Sequence, residues 1–149
     1  MPSFETRRTV PFTPTEMFDL VADVERYPEF LPLCEGLRVL SYDGDGDQRS
    51  LVAAMDVGYK GIRETFTSRV QLDRAVPSVR TDLVQGPFNR LVNKWGFIPT
   101  PGGCEVTFFI DYEFKSRILG VMMGSMFDRA FRMFSEAFEK RADAVYGRA

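Results

Sequence analysis

The chain has 149 residues, of which 44% are hydrophobic and 27% charged, and its formal net charge at pH 7 is −2. These values suit one folded domain, residues 1–149, with a sizeable core. They exclude a disordered chain and a strongly basic nucleic-acid-binding protein. Histidine is absent, which excludes Ser-His-Asp and Cys-His catalysis, histidine-ligated metals and a histidine-based pH switch.

Cellular location is predicted from what the sequence lacks. No apolar run approaches the roughly 20 residues needed to cross a bilayer, and the first residues, MPSFETRR, contain no apolar signal segment. We therefore expect a cytoplasmic protein, with peripheral contact to the inner membrane left open. Cys34 and Cys104 are far apart and are expected to be reduced thiols in the core.

The first predicted elements are an edge strand and a capped helix. In residues 3–11, apolar and polar side chains alternate well enough to predict an edge strand that ends at a proline. Thr13 and Glu16 then form an S/T-x-x-E capping box, with a proline at the first helical position. The helix and the turn after it are expected over residues 14–33.

A stiff aromatic-proline segment follows this helix. Tyr27-Pro28 is expected to end the regular helix, because the residue before a proline is pushed out of the α region. Residues 28–33 are predicted to form a cover over a cavity.

Six strands separated by turns are predicted next. Each alternates between apolar and polar residues, which predicts an antiparallel sheet with one face in water. Residues 43–47 resemble the start of a calcium loop, but Gln48 and Ala54 stand where glycine and glutamate are required, so a hairpin is predicted. Another turn is expected at residues 99–103. The predicted strands cover residues 37–40, 51–57, 62–72, 79–84, 91–98 and 104–115.

A single long helix is predicted for residues 118–146. Apolar residues recur on one face at the spacing of an amphipathic helix, so the helix is expected to lie across the concave face of the sheet. A strand, helices, six strands and a long helix make an α+β fold, in the order β-α-α-β6-α. The apolar stripe consists of Met123, Phe127, Phe131 or Ala130, Phe134, Phe138, Ala142 and Val145.

The start of this helix combines glycines with methionines. Gly120 and Gly124 each cost about 1 kcal/mol against alanine in a helix, so a close approach to the backbone is expected there. Met122, Met123 and Met126 predict an adaptable wall for an apolar guest. The alternative is that the glycines only make room for the turn after the first helix.

Two strands place polar side chains on their apolar faces. Strand alternation puts Glu64 and Ser68 on the same face as Phe66, and Asn93 on the same face as Trp95. Because a packed core does not leave a carboxylate unpaired, either Glu64 has an inner partner or the interior holds water and the polar end of a ligand. The alternative is that this end of the strand lies near solvent. A mostly apolar space with few polar groups is typical of a small-molecule pocket.

The opposite faces of the strands carry charges of both signs. Basic residues there suit contact with phosphates, but acidic residues share the surface, which favours a solvated mixed face. No catalytic or metal-binding constellation is visible in the sequence, so no catalytic residue, metal ligand or required cofactor is predicted. The basic residues are Arg63, Arg69, Arg80, Arg90 and Lys94, and the acidic ones are Asp56, Asp82, Asp111 and Glu113.

Three segments resemble the coenzyme Q-binding, START-like proteins of the polyketide cyclase/dehydrase and lipid-transport superfamily. They are ADVERYPEFLP, LVNKWGFIPTPGGCEVTFFIDYEF and SRILGVMMGSMFDRAF. The resemblance implies a START-like or Bet v 1-like helix-grip fold, in which a curved antiparallel sheet wraps around the long C-terminal helix and a deep apolar cavity. It also implies binding of ubiquinone in support of respiration, as in mitochondrial members, or the large-subunit binding of the bacterial ribosome association toxin branch.

The resemblance supports three hypotheses for function. The leading one is a non-enzymatic carrier or chaperone of ubiquinone or a related isoprenoid lipid. The second is a translation inhibitor that binds the ribosomal large subunit, and the third is a polyketide aromatase/cyclase. The predicted cavity residues are Phe66, Val70, Trp95, Phe97, Phe108, Tyr112, Met123, Met126, Phe127 and Phe131, with Phe30 and Leu33 at the mouth and Glu64, Ser68, Asn93 or Tyr112 at the ligand's polar ring.

Overall fold

An antiparallel sheet, two α-helices and a short 3₁₀ helix form the regular structure of residues 3–44, 46–59 and 61–147, which a computed structural model of the chain describes. Asp45, in the predicted hairpin, lies outside these residues. The strands are β1 (Ser3–Val10), β2 (Cys34–Asp43), β3 (Gln48–Tyr59), β4 (Ile62–Asp73), β5 (Ser78–Gln85), β6 (Phe88–Thr100) and β7 (Gly103–Phe114), and the helices are α1 (Pro14–Ala22), the 3₁₀ helix (Val24–Glu29) and α2 (Arg117–Tyr146).

The seven described strands form one sheet in the order β1-β7-β6-β5-β4-β3-β2, with antiparallel neighbours throughout. β1 is therefore an edge strand, as predicted, and β2 is the other edge. The long helix α2 packs on β7 and β1. The element order confirms the predicted α+β helix-grip arrangement, with the second short helix a 3₁₀ helix.

The capping box at the start of α1 is confirmed. The Thr13 hydroxyl accepts a hydrogen bond from the Glu16 amide at 3.1 Å, and the Glu16 carboxylate accepts one from the Thr13 amide at 2.9 Å. The predicted end of the helix at Tyr27-Pro28 is wrong, because α1 ends at Ala22 and Pro28 lies inside the 3₁₀ helix. The backbone winds more tightly there, since the amides of Arg26 and Phe30 donate to the carbonyls three residues earlier, and the Tyr27 hydroxyl donates back to a carbonyl of α1.

The predicted turn at residues 99–103 is too long. Pro99 pairs with Cys104 and Thr100 with Gly103, so β6 and β7 continue almost to the turn. A side chain at Gly103 would put its Cβ 1.9 Å from the Val10 carbonyl oxygen. Only a glycine therefore lets β1 approach the start of β7 so closely.

α2 begins and ends with caps. The Ser116 hydroxyl accepts from the amides of Ile118 and Leu119, and Gly147 ends the helix in the left-handed conformation. The predicted apolar stripe packs against the sheet except at Val145, which is 51% exposed. In the last turn Tyr146 faces inward instead, since its hydroxyl donates to a carbonyl of α1.

Candidate functional site

A cavity of about 100 Å³ lies between the sheet and the middle of α2. Its walls come from β2 to β7, from the 3₁₀ helix and the turn after it, and from α2. The apolar lining consists of Val24, Tyr27, Leu31, Leu37, Ala53, Met55, Phe66, Val70, Leu91, Trp95, Ile110, Phe131, Phe134 and Phe138.

Three polar side chains from neighbouring strands form the floor of the cavity: Ser68, Thr81 and Asn93. Thr81 is the register partner of both Val70 and Asn93. The Asn93 amide nitrogen donates to the Phe109 carbonyl at 2.9 Å, which fixes the orientation of the amide. Within the described residues, the hydroxyls of Ser68 and Thr81 have no hydrogen-bond partner. The floor therefore offers unused hydrogen-bonding groups without charge.

Aromatic side chains close one end of the cavity. The Phe138 ring of α2 lies 5.0 Å from Trp95 and 5.3 Å from Tyr27, centroid to centroid. The Tyr27 hydroxyl donates to the Val21 carbonyl, and burial raises the pKa of this phenol far above its usual value. Among the described residues, Tyr27 is the one ionisable lining group and stays neutral, so none of their ionised side chains lines the cavity.

The aromatic-proline segment lies at this closed end, as a cover. Leu31 lines the cavity, whereas Phe30 packs behind it with its ring centroid 5.0 Å from that of Phe138. Leu33 has a positive φ of 69°, and its carbonyl accepts from the Gly58 amide at 3.1 Å. That bond ties the turn to β3 and leaves Leu33 outside the lining.

Several lining residues are only half-buried. Leu37 and Met55 are register partners on β2 and β3, and both are half-buried. Phe134, on α2, is also half-buried and lines the cavity. These three residues lie at the β2 edge of the sheet and on α2, and the half-buried Tyr27, Ser68, Thr81 and Asn93 complete the less buried part of the lining.

The structure brings six of the predicted site residues to the cavity and places nine elsewhere. Thr81 was missed, although the alternation of the predicted strand over residues 79–84 puts it on the inner face. The six are Phe66, Ser68, Val70, Asn93, Trp95 and Phe131, and the nine are Phe30, Leu33, Glu64, Phe97, Phe108, Tyr112, Met123, Met126 and Phe127.

Tight aromatic packing keeps most of the nine away from the cavity. Phe127 lies 5.6 Å from Phe66, 5.8 Å from Phe88 and 5.5 Å from Phe114, so rings fill the space beneath the first half of α2. Met123 is buried on the same part of α2, and Met126 is half-buried there.

The other aromatic residues of the nine pack next to lining side chains or behind them. Tyr112 lies 5.0 Å from Phe131, and Phe108 lies 4.7 Å from Trp95. Phe97 instead faces α1, where its ring is 6.4 Å from that of Phe18.

Glu64 does not reach the cavity. It pairs in register with Val57, toward the β3–β4 turn, and is half-buried. In the part of the chain that the structure describes, it has no ion pair or hydrogen bond. The interpretation that this end of the strand lies near solvent agrees with the structure better than an inner ligand contact.

No part of the described chain approaches the helix glycines closely, so making room for the turn after the first helix does not explain them. A Cβ at Gly124 would meet nothing within 4 Å, and at Gly120 the nearest atom would be 3.8 Å away, on Phe114. The turn after the 3₁₀ helix packs on Phe138, several turns further along α2. Met122 is 58% exposed, so the methionines do not form a shared wall.

The outer face of the sheet is mixed in charge, as predicted. Nitrogen–oxygen distances are 2.9 Å for Arg80–Asp82, 3.0 Å for Arg90–Asp111 and 3.6 Å for Arg63–Glu35. The hydrogen bond from Arg90 holds the pKa of Asp111 below its usual value. Arg69 has no ion pair among the residues described.

Within residues 3–44, 46–59 and 61–147, no group of three or more cysteine, aspartate or glutamate side chains is placed to hold a metal ion. Among the same residues, no helix has the length and hydropathy to span a membrane.

A curved seven-stranded sheet that grips a long C-terminal helix around a small apolar cavity defines a START-like, helix-grip protein. The chain belongs to the family described as polyketide cyclase / dehydrase and lipid transport, which matches residues 10–139.

Two relatives carry different functional names. The ribosome association toxin RatA of Escherichia coli K12 is 36% identical over 147 residues, 98% of this chain and 90% of RatA. A mitochondrial coenzyme Q-binding protein COQ10 homolog B, from Xenopus laevis, is 32% identical over 152 residues, 97% of this chain and 59% of that protein. Neither relative is named as an enzyme.

Solved structures agree with the fold. The 18 kDa protein CC1736 from Caulobacter crescentus has a TM-score of 0.80 and 36% identity, covering 99% of this chain and all of that one. Aromatase/cyclases of known structure are 16–19% identical, which shows the fold alone.

Proposed function

We propose that the chain binds a neutral lipid with a polar ring, of the isoprenoid quinone type, and carries or shelters it without converting it. The observation that supports this most is the cavity floor, where Ser68, Thr81 and Asn93 offer unused hydrogen-bonding groups inside an apolar, uncharged space. Mostly apolar walls with a few placed polar groups are the usual construction of a small-molecule site.

The chemistry of the lining favours a quinone ring over a charged lipid head. Hydroxyls such as that of Thr81 donate to carbonyl and ether oxygens, whereas the described lining residues include no lysine or arginine to pair with a phosphate or carboxylate. Trp95, Tyr27 and Phe138 add aromatic surface against which a flat ring packs well. The coenzyme Q-binding name of one relative agrees with this ligand class.

The size of the cavity defines how such a ligand enters. About 100 Å³ is less than the 300–1,000 Å³ typical of sites for drug-sized ligands, and an apolar cavity of about 150 Å³ holds one benzene ring. A quinone head therefore needs some widening, and an isoprenoid tail has to leave the cavity. The proposed exit lies at the half-buried residues Leu37, Met55 and Phe134, so ligand entry moves α2 away from the β2 edge.

The single tryptophan provides a direct test, because Trp95 lines the cavity and is 4% exposed. Titration with a short-chain ubiquinone is expected to quench its fluorescence to saturation. A variant whose cavity is filled, Ala53→Leu, is the matched control and is expected to show only linear, non-specific quenching. Native mass spectrometry of protein from quinone-containing cells should show retained lipid. Absence of both saturable quenching and retained lipid would contradict the proposal.

A second candidate function is association with the large ribosomal subunit. It is favoured by the RatA relatives, which match nearly the full length of this chain, and by Arg69 on the outer face of β4. Arg63 and Arg80 lie near Glu35 and Asp82, so Arg69 is the more available contact for a phosphate.

Cosedimentation tests this second candidate. Arg69→Glu is expected to reduce recovery with the large subunit, while Lys140→Glu, on the exposed face of α2, is the matched control. Equal recovery of both variants would assign no role to Arg69, and no recovery of the unchanged protein would reject ribosome association. The described residues of the cavity lining do not favour a cyclase function, because they contain no acid or base besides the neutral Tyr27 phenol.

A further inference from the structure

The first turns of α2 expose a compact apolar surface. Ile118 is 71% exposed, Val121 80% and Met122 58%. Their spacing of three and four residues puts these side chains on one face of the helix, next to one another. The glycines Gly120 and Gly124 line a shallow groove beside them. Large apolar side chains scattered singly are ordinary on a surface, but a contiguous patch indicates an interaction site.

Positive charges border this patch. Lys115 and Arg117 are exposed immediately before Ile118, and the first turn of α2 contains no acidic residue. Neither cation has an ion pair among the described residues. The acidic residues that line the same groove already have partners: Glu113 accepts a hydrogen bond from Asn89, and Asp128 pairs with Arg132 at 3.0 Å.

Folding alone does not account for this surface. Two glycines in the helix lower its stability by about 1 kcal/mol each against alanine, and nothing packs against Gly124. Elsewhere along its exposed face, α2 carries mainly charged residues, such as Arg132, Glu136 and Lys140, and its other exposed apolar residues, Met133 and Val145, are isolated from each other. The sequence therefore keeps three apolar side chains in water beside two cations that have no ion pair among the described residues.

We propose that Lys115, Arg117, Ile118, Val121 and Met122 form a docking surface for an anionic lipid bilayer. Apolar side chains inserted at the headgroup level and cations attracted to anionic lipid are the two contributions that hold peripheral proteins on membranes. A second copy of the chain is a poorer occupant, because a two-fold contact through this patch would bring like charges together.

Docking through this surface brings the helix that covers the ligand cavity onto the bilayer that would supply the lipid. The same helix carries Phe131, Phe134 and Phe138 over the cavity, further along its length. A bilayer that holds the start of α2 therefore holds the element that has to move when a lipid enters. The docking surface is inferred from surface residues alone, and it goes beyond the proposed ligand.

Vesicle cosedimentation tests the docking surface. The unchanged protein is expected to bind vesicles of phosphatidylglycerol and phosphatidylcholine at least tenfold more tightly than vesicles of phosphatidylcholine alone. The triple variant Ile118→Ser, Val121→Ser, Met122→Gln and the single variant Val121→Asp should each lose at least tenfold in binding. Met133→Gln is the matched control, since Met133 is 45% exposed on α2 outside the patch.

Two further measurements, with charge-reversed variants and with the quinone ligand, distinguish membrane docking from ligand binding. Lys115→Glu with Arg117→Glu should weaken binding to anionic vesicles and reduce its dependence on salt. All patch variants should keep the Trp95 response to a short-chain ubiquinone, so failure of the ligand proposal and failure of docking are distinguishable. The docking surface is wrong if the unchanged protein ignores anionic vesicles, or if the patch variants bind them equally well. It is also wrong if the triple variant instead turns a dimer into a monomer or loses ribosome binding alone.

Discussion

Thr81 on β5 lies directly opposite Asn93 on β6, and both side chains face the same cavity. The Asn93 amide is held by the Phe109 carbonyl, while the Thr81 hydroxyl has no hydrogen-bond partner among the described residues. A polar group removed from bulk water costs free energy unless something bonds to it. The pair therefore suits a ligand oxygen that completes the hydrogen bonds of the floor.

Thr81→Val is expected to weaken ligand binding without loss of stability. Valine keeps the shape of threonine but removes the hydroxyl, and one such hydrogen bond contributes about 1 kcal/mol, or roughly a fivefold change in affinity. The affinity is measured from the ligand concentration at which the Trp95 fluorescence change saturates. Thr67→Val, on the outer face of β4, is the matched control. The role of Thr81 would be disproved by equal affinities of both variants.

Ala53→Leu is expected to raise stability and abolish binding together. Ala53 lines the cavity opposite Ser68 in register, so three added carbons enter empty space. Cavity filling typically adds about 0.5–2 kcal/mol to the free energy of unfolding, which urea denaturation measures. A destabilised variant would mean that the cavity is narrower at Ala53 than the structure indicates.

The sequence predicted the elements far better than the cavity. Strand alternation, the Thr13–Glu16 capping box and the apolar stripe of residues 118–146 are local patterns, so they identified the strands, the first helix and the long helix, and their order gave the α+β class. Which inward residues touch a cavity depends on how rings from distant elements fill the space. Phe127 and Trp95 share the inward pattern, but Phe127 is enclosed by other rings and Trp95 lines the cavity.

Both cysteines are expected to react slowly in the folded protein. Burial raises the pKa of the Cys34 and Cys104 thiols from 9.0 to about 11, which lowers the thiolate fraction at pH 8 by about 100-fold. Alkylation by iodoacetamide should therefore be about 100-fold slower than in urea at the same pH. It should accelerate toward pH 11.

The same pKa shifts are expected to lower the free energy of unfolding as the pH becomes alkaline. A thiol whose pKa is raised in the folded state binds its proton more tightly there, so its contribution is complete below pH 9 and is lost as pH rises toward 11. Urea denaturation at pH 8 and pH 10 should show the decline, and Cys34→Ala with Cys104→Ala should reduce it. Fast alkylation of the folded protein at pH 8 would show that the thiols are more accessible than their burial indicates.

Gly124→Ala is expected to stabilise the protein, whereas Gly103→Ala is expected to destabilise it. A Cβ at Gly124 meets nothing within 4 Å, so alanine gains only the helix propensity difference, about 1 kcal/mol. A Cβ at Gly103 would lie 1.9 Å from the Val10 carbonyl oxygen, which forces β1 away from β7. Urea denaturation of the two variants measures the opposite signs. If Gly124→Ala destabilised the chain instead, another backbone or a partner would have to approach α2 there, as the glycine pattern first indicated.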